Sequence, residues 1–415
     1  MPVVARLDAV AGEGAFYADD LMAIRAGAQH DGFAYVGDPI TPGHAAVRAA
    51  ARAVLLRIET AAGAIGWGDV VAVQYSGVGG RDAPVDPAAL APELALAGDA
   101  LQAAGELNFA AGCRLVEDLR HDGRQLHTAV RYGLSQALLA ATAAEAGTSP
   151  LRILAPLTGL TAPSLRPVYA QSGDDRQLNA DRMILRGVEV LPHGLFNSLD
   201  AFGNDGGRFL DYLRWLRRRV DTLGCLGYAP HLHLDVYGML GHVTDLDVNR
   251  MADFLAVAEQ AADGLPLAIE APCFGLDTES TIDVLARLRA ELQQRDVGVA
   301  LVADEFCNGD EDVARFVSAG AVDLIQIKMP DLGCLTEAIA AAAACRAGGL
   351  GVFIGGSCAE TEVSAVASVQ VALAVEADQV LAKPGMGVDE GVTIVRNAMR
   401  RALVDWERTA QMFCL

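Results

Sequence analysis

The second half of the chain repeats one pattern: a short apolar run, usually closed by a polar residue, then a loop, then a segment of helical periodicity. The apolar runs end at VLPH (190–193), LHLD (232–235), LAIE (267–270), LVAD (301–304), IQIK (325–328), FIGG (353–356) and VLAK (380–383). Between them lie stretches such as STIDVLARLRAELQQRD, whose apolar residues fall on one face of a helix. Asp235, Glu270 and Asp304 recur at intervals of 35 and 34 residues, the length of a single βα unit. Serial βα units predict a parallel sheet, and seven in one run favour a closed (β/α) barrel over a doubly wound sheet. A GxGxxG fingerprint after the first strand is missing, which argues against dinucleotide binding. Residues 1–165 have a different texture. ITPGHAAVRAAARAVLLRIETAAG (40–63) reads as a helix, with Thr41 as N-cap, Pro42 at the first position and Gly63 at the exit. AIGWGDVVAVQYSGVGG (64–80) reads as a strand entering a glycine-rich loop, and RQLHTAVRYGLSQALLAATAAEAG (124–147) as a second long helix. The pattern therefore predicts an α+β domain over residues 1–165 and a barrel with a C-terminal helix over 166–415.

Composition narrows the partners. A chain of 415 residues can bury a large core in two domains. Its net charge of −21 repels nucleic acid and anionic membranes, so neither is expected as a partner. The opening MPVVARLDAV lacks the apolar run of a signal peptide, and the alanine-rich stretch around 338–345 is too short to span a bilayer. Eight cysteines (113, 225, 273, 307, 334, 345, 358 and 414) are scattered without CxxC spacing, so reduced thiols in a cytoplasmic protein are expected.

The basic residues carry more information. Lys and Arg together number 32, yet only Lys328 and Lys383 are lysines. Arginine does not give up its proton in proteins, whereas lysine does when its surroundings lower its pKa. A lysine kept in such a chain is a candidate for proton chemistry. In LIQIKMPDLG, Gln326 and Lys328 share one strand face and Ile325, Ile327 and Met329 the other. The polar face then points into the barrel mouth; a lysine head merely escaping to solvent is the plainer alternative. Asp235, Glu270 and Asp304 end three successive strands. Strands lie about 4.8 Å apart, so the carboxylates can converge on a hard divalent cation, Mg²⁺ or Mn²⁺ rather than zinc. Three separate helix caps would explain one such acid better than three. His193, after Pro192, is a second acid/base candidate. His231 and His233 offer a rival HxH metal pair, but no histidine follows His242 to complete it. Cys358 in GGSCAET suits a substrate-binding loop better than a nucleophile, because no histidine lies near it in sequence. The loop QSGDDR (171–176) is polar, and its carboxylates alone signify little.

Taken together these motifs resemble the methylaspartate ammonia-lyases of the enolase superfamily. The resemblance runs through VAVQYSG with Gln74, QSGDDR with Gln171, VLPHGLFN with His193, HLDVYG with Asp235 and IEAP with Glu270. It continues through VADEFCN with Asp304, QIKMPDLG with Gln326 and Lys328, GGSCAET with Ser357 and Cys358, and AKPGMGVDEG with Lys383. It implies a modified TIM-type barrel beneath an N-terminal α+β capping domain, in a homodimer. It implies metal ligation by Asp235, Glu270 and Asp304, with Mg²⁺ or Mn²⁺ bound and room for a monovalent cation such as K⁺. Lys328 would be the base, with His193 on the opposite face of the substrate. Gln171, Ser357 and Cys358 would hold the α-carboxylate, and His193 and Gln326 would help hold the other. Gln74 would lie near the amino group, and Tyr169, Phe353 and Leu381 would surround the methyl group. Two departures touch the pocket: the family more often has threonine where Ser357 stands, and Phe and Tyr are exchanged at 169 and 353.

The reaction implied is elimination of ammonia from L-threo-3-methylaspartate to give mesaconate. A proton beside a carboxylate is barely acidic, and a bound cation offsets the charge its removal creates. A free lysine has a pKa near 10.4, and catalytic lysines are brought to roughly 7–8 by burial and neighbours; the metal's charge and desolvation in the barrel mouth are expected to lower Lys328 in this way. Two rival readings remain. A cycloisomerase or acid-sugar dehydratase of the same superfamily often carries Lys-x-Lys on an early barrel strand, and no lysine precedes 328 here. A non-catalytic binding protein on this scaffold would have no use for both a carboxylate triad and a rare lysine.

Overall fold

The structure is a computed structural model, which describes every residue except 79, 174, 387 and 413–415, and every side chain but those of 409–412 as well. Cys414, Asp174 of QSGDDR, Gly79 of the glycine-rich loop and Gly387 of AKPGMGVDEG thus lie outside the described residues. Parallel strands close a barrel in chain order: β1 (Val168–Tyr169), β2 (Val190–His193), β3 (His231–Asp235), β4 (Leu267–Glu270), β5 (Val299–Ala303), β6 (Leu324–Ile327), β7 (Gly351–Ile354) and β8 (Gln379–Leu381). Strands β2 to β8 are the runs read from the sequence. Strand β1 has two residues, too few to show a period, and it closes the ring by pairing Leu381 with Tyr169 and Tyr169 with Val190. Apolar strand residues on the outer face, such as Ile325 and Ile327, pack beneath the helices in one large core. Inside the barrel Tyr169, Val190, Phe353 and Leu381 form a second apolar cluster of their own. The helix Glu390–Met412 closes the chain and packs on Glu362–Ala374.

The N-terminal region is built on an antiparallel sheet of Val4–Asp19, Arg48–Thr60 and Ile65–Val70, with Arg48–Thr60 in the middle. The helix Thr128–Glu145 lies on Ile65–Val70 so closely that a Cβ at Gly68 would strike the Gly133 carbonyl. Glycine is required there by that approach, not by its backbone angles.

The helix expected over 40–63 is not formed; this stretch holds the sheet's central strand and the turn after it. Its alanines and arginines favour a helix, but its burial has a period of two. Val54, Leu56, Ile58 and Thr60 are buried, while Leu55, Arg57 and Glu59 between them are only half-buried. Pairing on both edges outweighs the intrinsic preference of Ala and Arg. Thr41 is not an N-cap. Its hydroxyl donates to Asp20, which itself caps the helix Leu21–Arg25. Gly63, at φ +83°, turns the chain between strands rather than ending a helix. The described cysteines are free thiols, and no helix of the described residues is long and apolar enough to cross a membrane.

Candidate active site

Asp235 and Glu270 end β3 and β4 in register with one another, and Asp304 directly follows β5. All three are buried, and each offers an oxygen within 4.8 Å of those of the other two. Burial, then the charges of Asp235 and Asp304, push the Glu270 carboxyl well above its ordinary pKa. Burial also raises Asp235, against the pull of His193. Burial would raise Asp304 too, but Lys328 and Arg81 outweigh it and hold that carboxyl low. Glu270 Oε2 lies 2.9 Å from His233 Nε2 and Asp304 Oδ1 2.7 Å from Lys328 Nζ, but neither oxygen is met in hydrogen-bonding geometry by a described residue. Crowded, desolvated, partly unpartnered carboxylates with only oxygen donors fit a hard divalent cation such as Mg²⁺. The rival HxH pair does not form: His231 is exposed at the far end of β3, while His233 is buried against Tyr169, its ring stacked at 4.4 Å. Burial lowers the His233 pKa to about 4, so the ring is neutral.

Lys328 follows β6 directly. Its Nζ donates to Asp304 Oδ2 at 2.8 Å and lies 2.7 Å from Oδ1. Burial disfavours the ammonium as expected, but Asp304, Glu305 and Asp331 outweigh burial, so the chain's own charges raise the Lys328 pKa. Burial and Arg81 act in the expected direction but are outweighed by these carboxylates; a divalent cation held by the triad would add its charge on the side of burial and Arg81 and lower the ammonium's pKa. His193 ends β2, four strands round the ring from β6, and faces Lys328 from the opposite wall. Its Nε2 lies 3.5 Å from Asp235 Oδ2, and its Nδ1 is buried without a partner among the described residues.

Between these groups lies a small, partly open cavity. Every residue expected at the site lines it: the triad, Lys328, His193, Gln74, Gln171, Gln326, Ser357, Cys358, Tyr169, Phe353 and Leu381. Gln326 donates to Glu270 Oε1. Gln74 reaches in from the cap, its backbone N donating to Ser357 Oγ at 3.1 Å. Tyr169 meets Phe353 edge-on at 5.0 Å, and together with Leu381 they form an apolar floor.

Lys383 lies outside the cavity, fully buried. Its Nζ donates to Glu360 Oε2 and to the Gly355 carbonyl, both at 2.8 Å. Glu360 also accepts from Tyr132 Oη of the cap helix at 2.6 Å and from Ser357 N at 2.8 Å. The loop bearing Ser357 and Cys358 thus wraps a buried ion pair. It passes so close that Gly356, at φ +134°, has no room for a side chain beside the Glu360 carboxylate. Proton chemistry, open for both lysines from composition, is left to Lys328 by this placement.

Sequence reasoning missed Arg81, Glu305, Tyr75 and Tyr237, which line the same cavity. Arg81 descends from the glycine-rich loop of the cap, with its Nε 2.8 Å from Asp331 and its Nη1 3.1 Å from Glu305. Glu305 follows Asp304 inside VADEFCN, and Tyr237 sits inside HLDVYG, so both were within motifs already singled out.

Comparison with known proteins bears on both halves of the chain. The model of the methylaspartate ammonia-lyase N-terminus matches residues 3–157, and that of the C-terminus matches 161–408. The methylaspartate ammonia-lyase of Haloarcula marismortui is 45% identical over 97% of both chains. A structure of β-methylaspartase from Clostridium tetanomorphum, an Mg complex, superposes with a TM-score of 0.94 at 39% identity, over 99% of this chain and 100% of that one. The Citrobacter amalonaticus enzyme containing (2S,3S)-3-methylaspartic acid gives 0.94 at 42% identity, over 97% and 99%. Muconate lactonizing enzyme from Pseudomonas fluorescens, at 18% identity and a TM-score of 0.61 over 91% and 87%, shares the fold alone. Matched from end to end, at an identity that no shared fold by itself requires, the chain belongs to the methylaspartate ammonia-lyase family.

Proposed function

We propose that this chain is a Mg²⁺-dependent ammonia-lyase that converts L-threo-3-methylaspartate to mesaconate and ammonia. The observation that carries the reading is the mouth itself: a buried carboxylate triad with a lysine on one wall and a histidine on the other. Asp235, Glu270 and Asp304 would hold the cation, which supplies the positive charge that makes a proton beside a carboxylate removable. Lys328 Nζ takes that proton from C3 of the threo isomer. The electron pair left behind forms the C2–C3 double bond, the C2–N bond breaks, and ammonia leaves. His193, on the other face, takes the proton of the erythro isomer. Gln171, Ser357 and Cys358 hold the α-carboxylate, His193 and Gln326 steady the other, and Gln74 lies at the amino group. Tyr169, Phe353 and Leu381 enclose the methyl group; with Phe and Tyr exchanged relative to the family, the phenol sits at 169. Mn²⁺ is the substitute metal. Residues 1–165 serve as the cap and 166–415 as the catalytic barrel. The resemblance supports a homodimer in the cytoplasm, and the acidic composition supports the absence of nucleic-acid or membrane partners.

The test is absorbance of the conjugated product, measured with each isomer in the presence of Mg²⁺. Lys328→Ala is expected to abolish threo turnover and to affect erythro turnover much less, and His193→Ala to do the reverse, compared as kcat/KM ratios. Equal losses on both isomers in both variants would remove the two-base assignment. A wild-type chain inert toward both isomers yet active on another carboxylate would mark a sister reaction.

A further inference from the structure

Gln74 presents its side-chain amide to the cavity in a fixed sense. Its Nε2 donates to Asp19 Oδ2 at 2.8 Å, and its Oε1 accepts from Cys358 Sγ at 3.3 Å. The backbone is pinned as well: Gln74 O accepts from Asp19 N at 2.9 Å, and Gln74 N donates to Ser357 Oγ at 3.1 Å. An amide can turn over about its last torsion with little change of shape, exchanging an acceptor for two donors. Asp19 removes that freedom. It is paired to Arg48 through two bonds of 2.7 Å, from Nε to Oδ1 and from Nη2 to Oδ2, and a carboxylate paired to a guanidinium only accepts. Arg48 is seated in turn by the Phe33 carbonyl and by the rings of Phe33 and Tyr35, at 4.5 and 4.8 Å.

The reaction gives this orientation a meaning. Both organic partners of the elimination carry two carboxylates, and only the amino acid carries an ammonium group. An ammonium donates three hydrogen bonds and accepts none, so the amide that meets it must offer its oxygen. We infer that Asp19 is a positioning residue for amine recognition: it turns Gln74 so that the carbonyl oxygen faces the leaving ammonium group. This rests on the ammonia-lyase reading and adds to it. Asp19 touches no substrate; it acts through Gln74.

Asp19→Asn tests the inference. Arg48 meets both oxygens of Asp19, so the new amide sets its nitrogen against a donor in either sense, against Arg48 Nε or against Arg48 Nη2 and Gln74 Nε2 together. The seat that fixed one acceptor opposite Gln74 Nε2 is lost, and Gln74 is free to turn its donors toward the ammonium. The KM for methylaspartate, and for ammonia in the reverse direction, is expected to rise on the order of tenfold or more, as for loss of a hydrogen bond to a charged group. The KM for mesaconate, which has no amine, should stay within about twofold. The double exchange D19N/Q74E reverses donor and acceptor across the pair: the amide introduced by D19N donates to one oxygen of the new carboxylate, and the other oxygen faces the ammonium. It should bring the ratio of the methylaspartate and mesaconate KM values back towards the wild-type ratio and closer to it than Q74E alone, in which the new carboxylate faces that of Asp19, a difference that a merely structural role for Asp19 does not provide. A parallel rise of all three KM values in D19N overturns the inference, as does a double variant that fails to fold or to restore the ratio. A wild-type chain with no ammonia-lyase activity overturns the functional reading instead, and this inference with it.

Discussion

Lys383→Met isolates the buried ion pair that carries the Ser357–Cys358 loop. Both side chains of the Lys383–Glu360 pair are 0% exposed, unlike the surface pair Arg208–Asp200 at 63% and 91%. An exposed pair contributes about 0–1 kcal/mol because water screens it, whereas losing one partner of a buried pair costs about 3–5 kcal/mol by stranding the other charge. Methionine keeps most of the lysine's volume, so the cavity penalty is small. The variant leaves Glu360 with only Tyr132 Oη and Ser357 N as donors. The expected loss is therefore about 3–5 kcal/mol, or roughly two to four orders of magnitude in the folded-to-unfolded ratio. Guanidinium denaturation followed by tryptophan fluorescence reads it as a lower midpoint at unchanged slope. Removing the stranded charge as well, in K383M/E360Q, should recover more than half of the loss. A K383M chain within about 1 kcal/mol of wild type would refute the reasoning, because that is the range of a screened surface pair. So would a double variant no more stable than the single one.

Three further outcomes are expected. Chelation should abolish turnover while the chain stays folded, and Asp304→Asn should weaken Mg²⁺ binding at least about tenfold by calorimetric titration, since it removes one ligand charge; full activity in excess chelator would contradict the metal's role. Leu381→Ala should raise kcat/KM for aspartates with a larger 3-alkyl group relative to the methyl substrate, because it widens the apolar floor; an unchanged ratio would place the methyl group elsewhere. Asp20 accepts from the backbone of Met22, Ala23, Ile40 and Thr41 and from the Thr41 hydroxyl; burial opposes its charge, but these donors win and its pKa falls below the ordinary value. Its contribution is thus complete above the unfolded-state pKa near 3.9 and is lost as pH falls through the lower folded value, so Asp20→Asn should flatten the acid limb of the stability curve and cost about 1–3 kcal/mol at neutral pH.

What the sequence disclosed follows from where physics acts locally. The barrel was legible because most of its strands are short, largely apolar runs closed by a polar residue, and the acids at 235, 270 and 304 mark three of those ends. Lys328 stood out because arginine does nearly all the other cationic work. Strand β1 escaped because two residues have no period, and Arg48–Thr60 was misread because its alanines and arginines mask an alternation visible only from Val54 onward. Arg81, Asp19 and Glu360 were invisible for another reason. Their partners lie far along the chain, as with Gln74 and Asp19 at 55 residues or Tyr132 and Glu360 at 228, and folding alone brings them together.

The barrel's interior is also divided by wall, and the division maps onto the gene. Strands β3 to β6, with the residues directly after them, carry the carboxylate triad, Gln326 and Lys328 in one uninterrupted run of chain, 231–328. The apolar residues proposed to enclose the methyl group, Phe353, Leu381 and Tyr169, stand on β7, β8 and β1, so they are encoded on either side of that run. Two crossovers bracketing the central run would move the carboxylate triad, Gln326 and Lys328 together and leave His193, on β2, behind. Point changes in the flanks retune which substituent is admitted, and they do so in a cluster separate from the main core. Chemistry and appetite in this barrel can therefore be inherited separately.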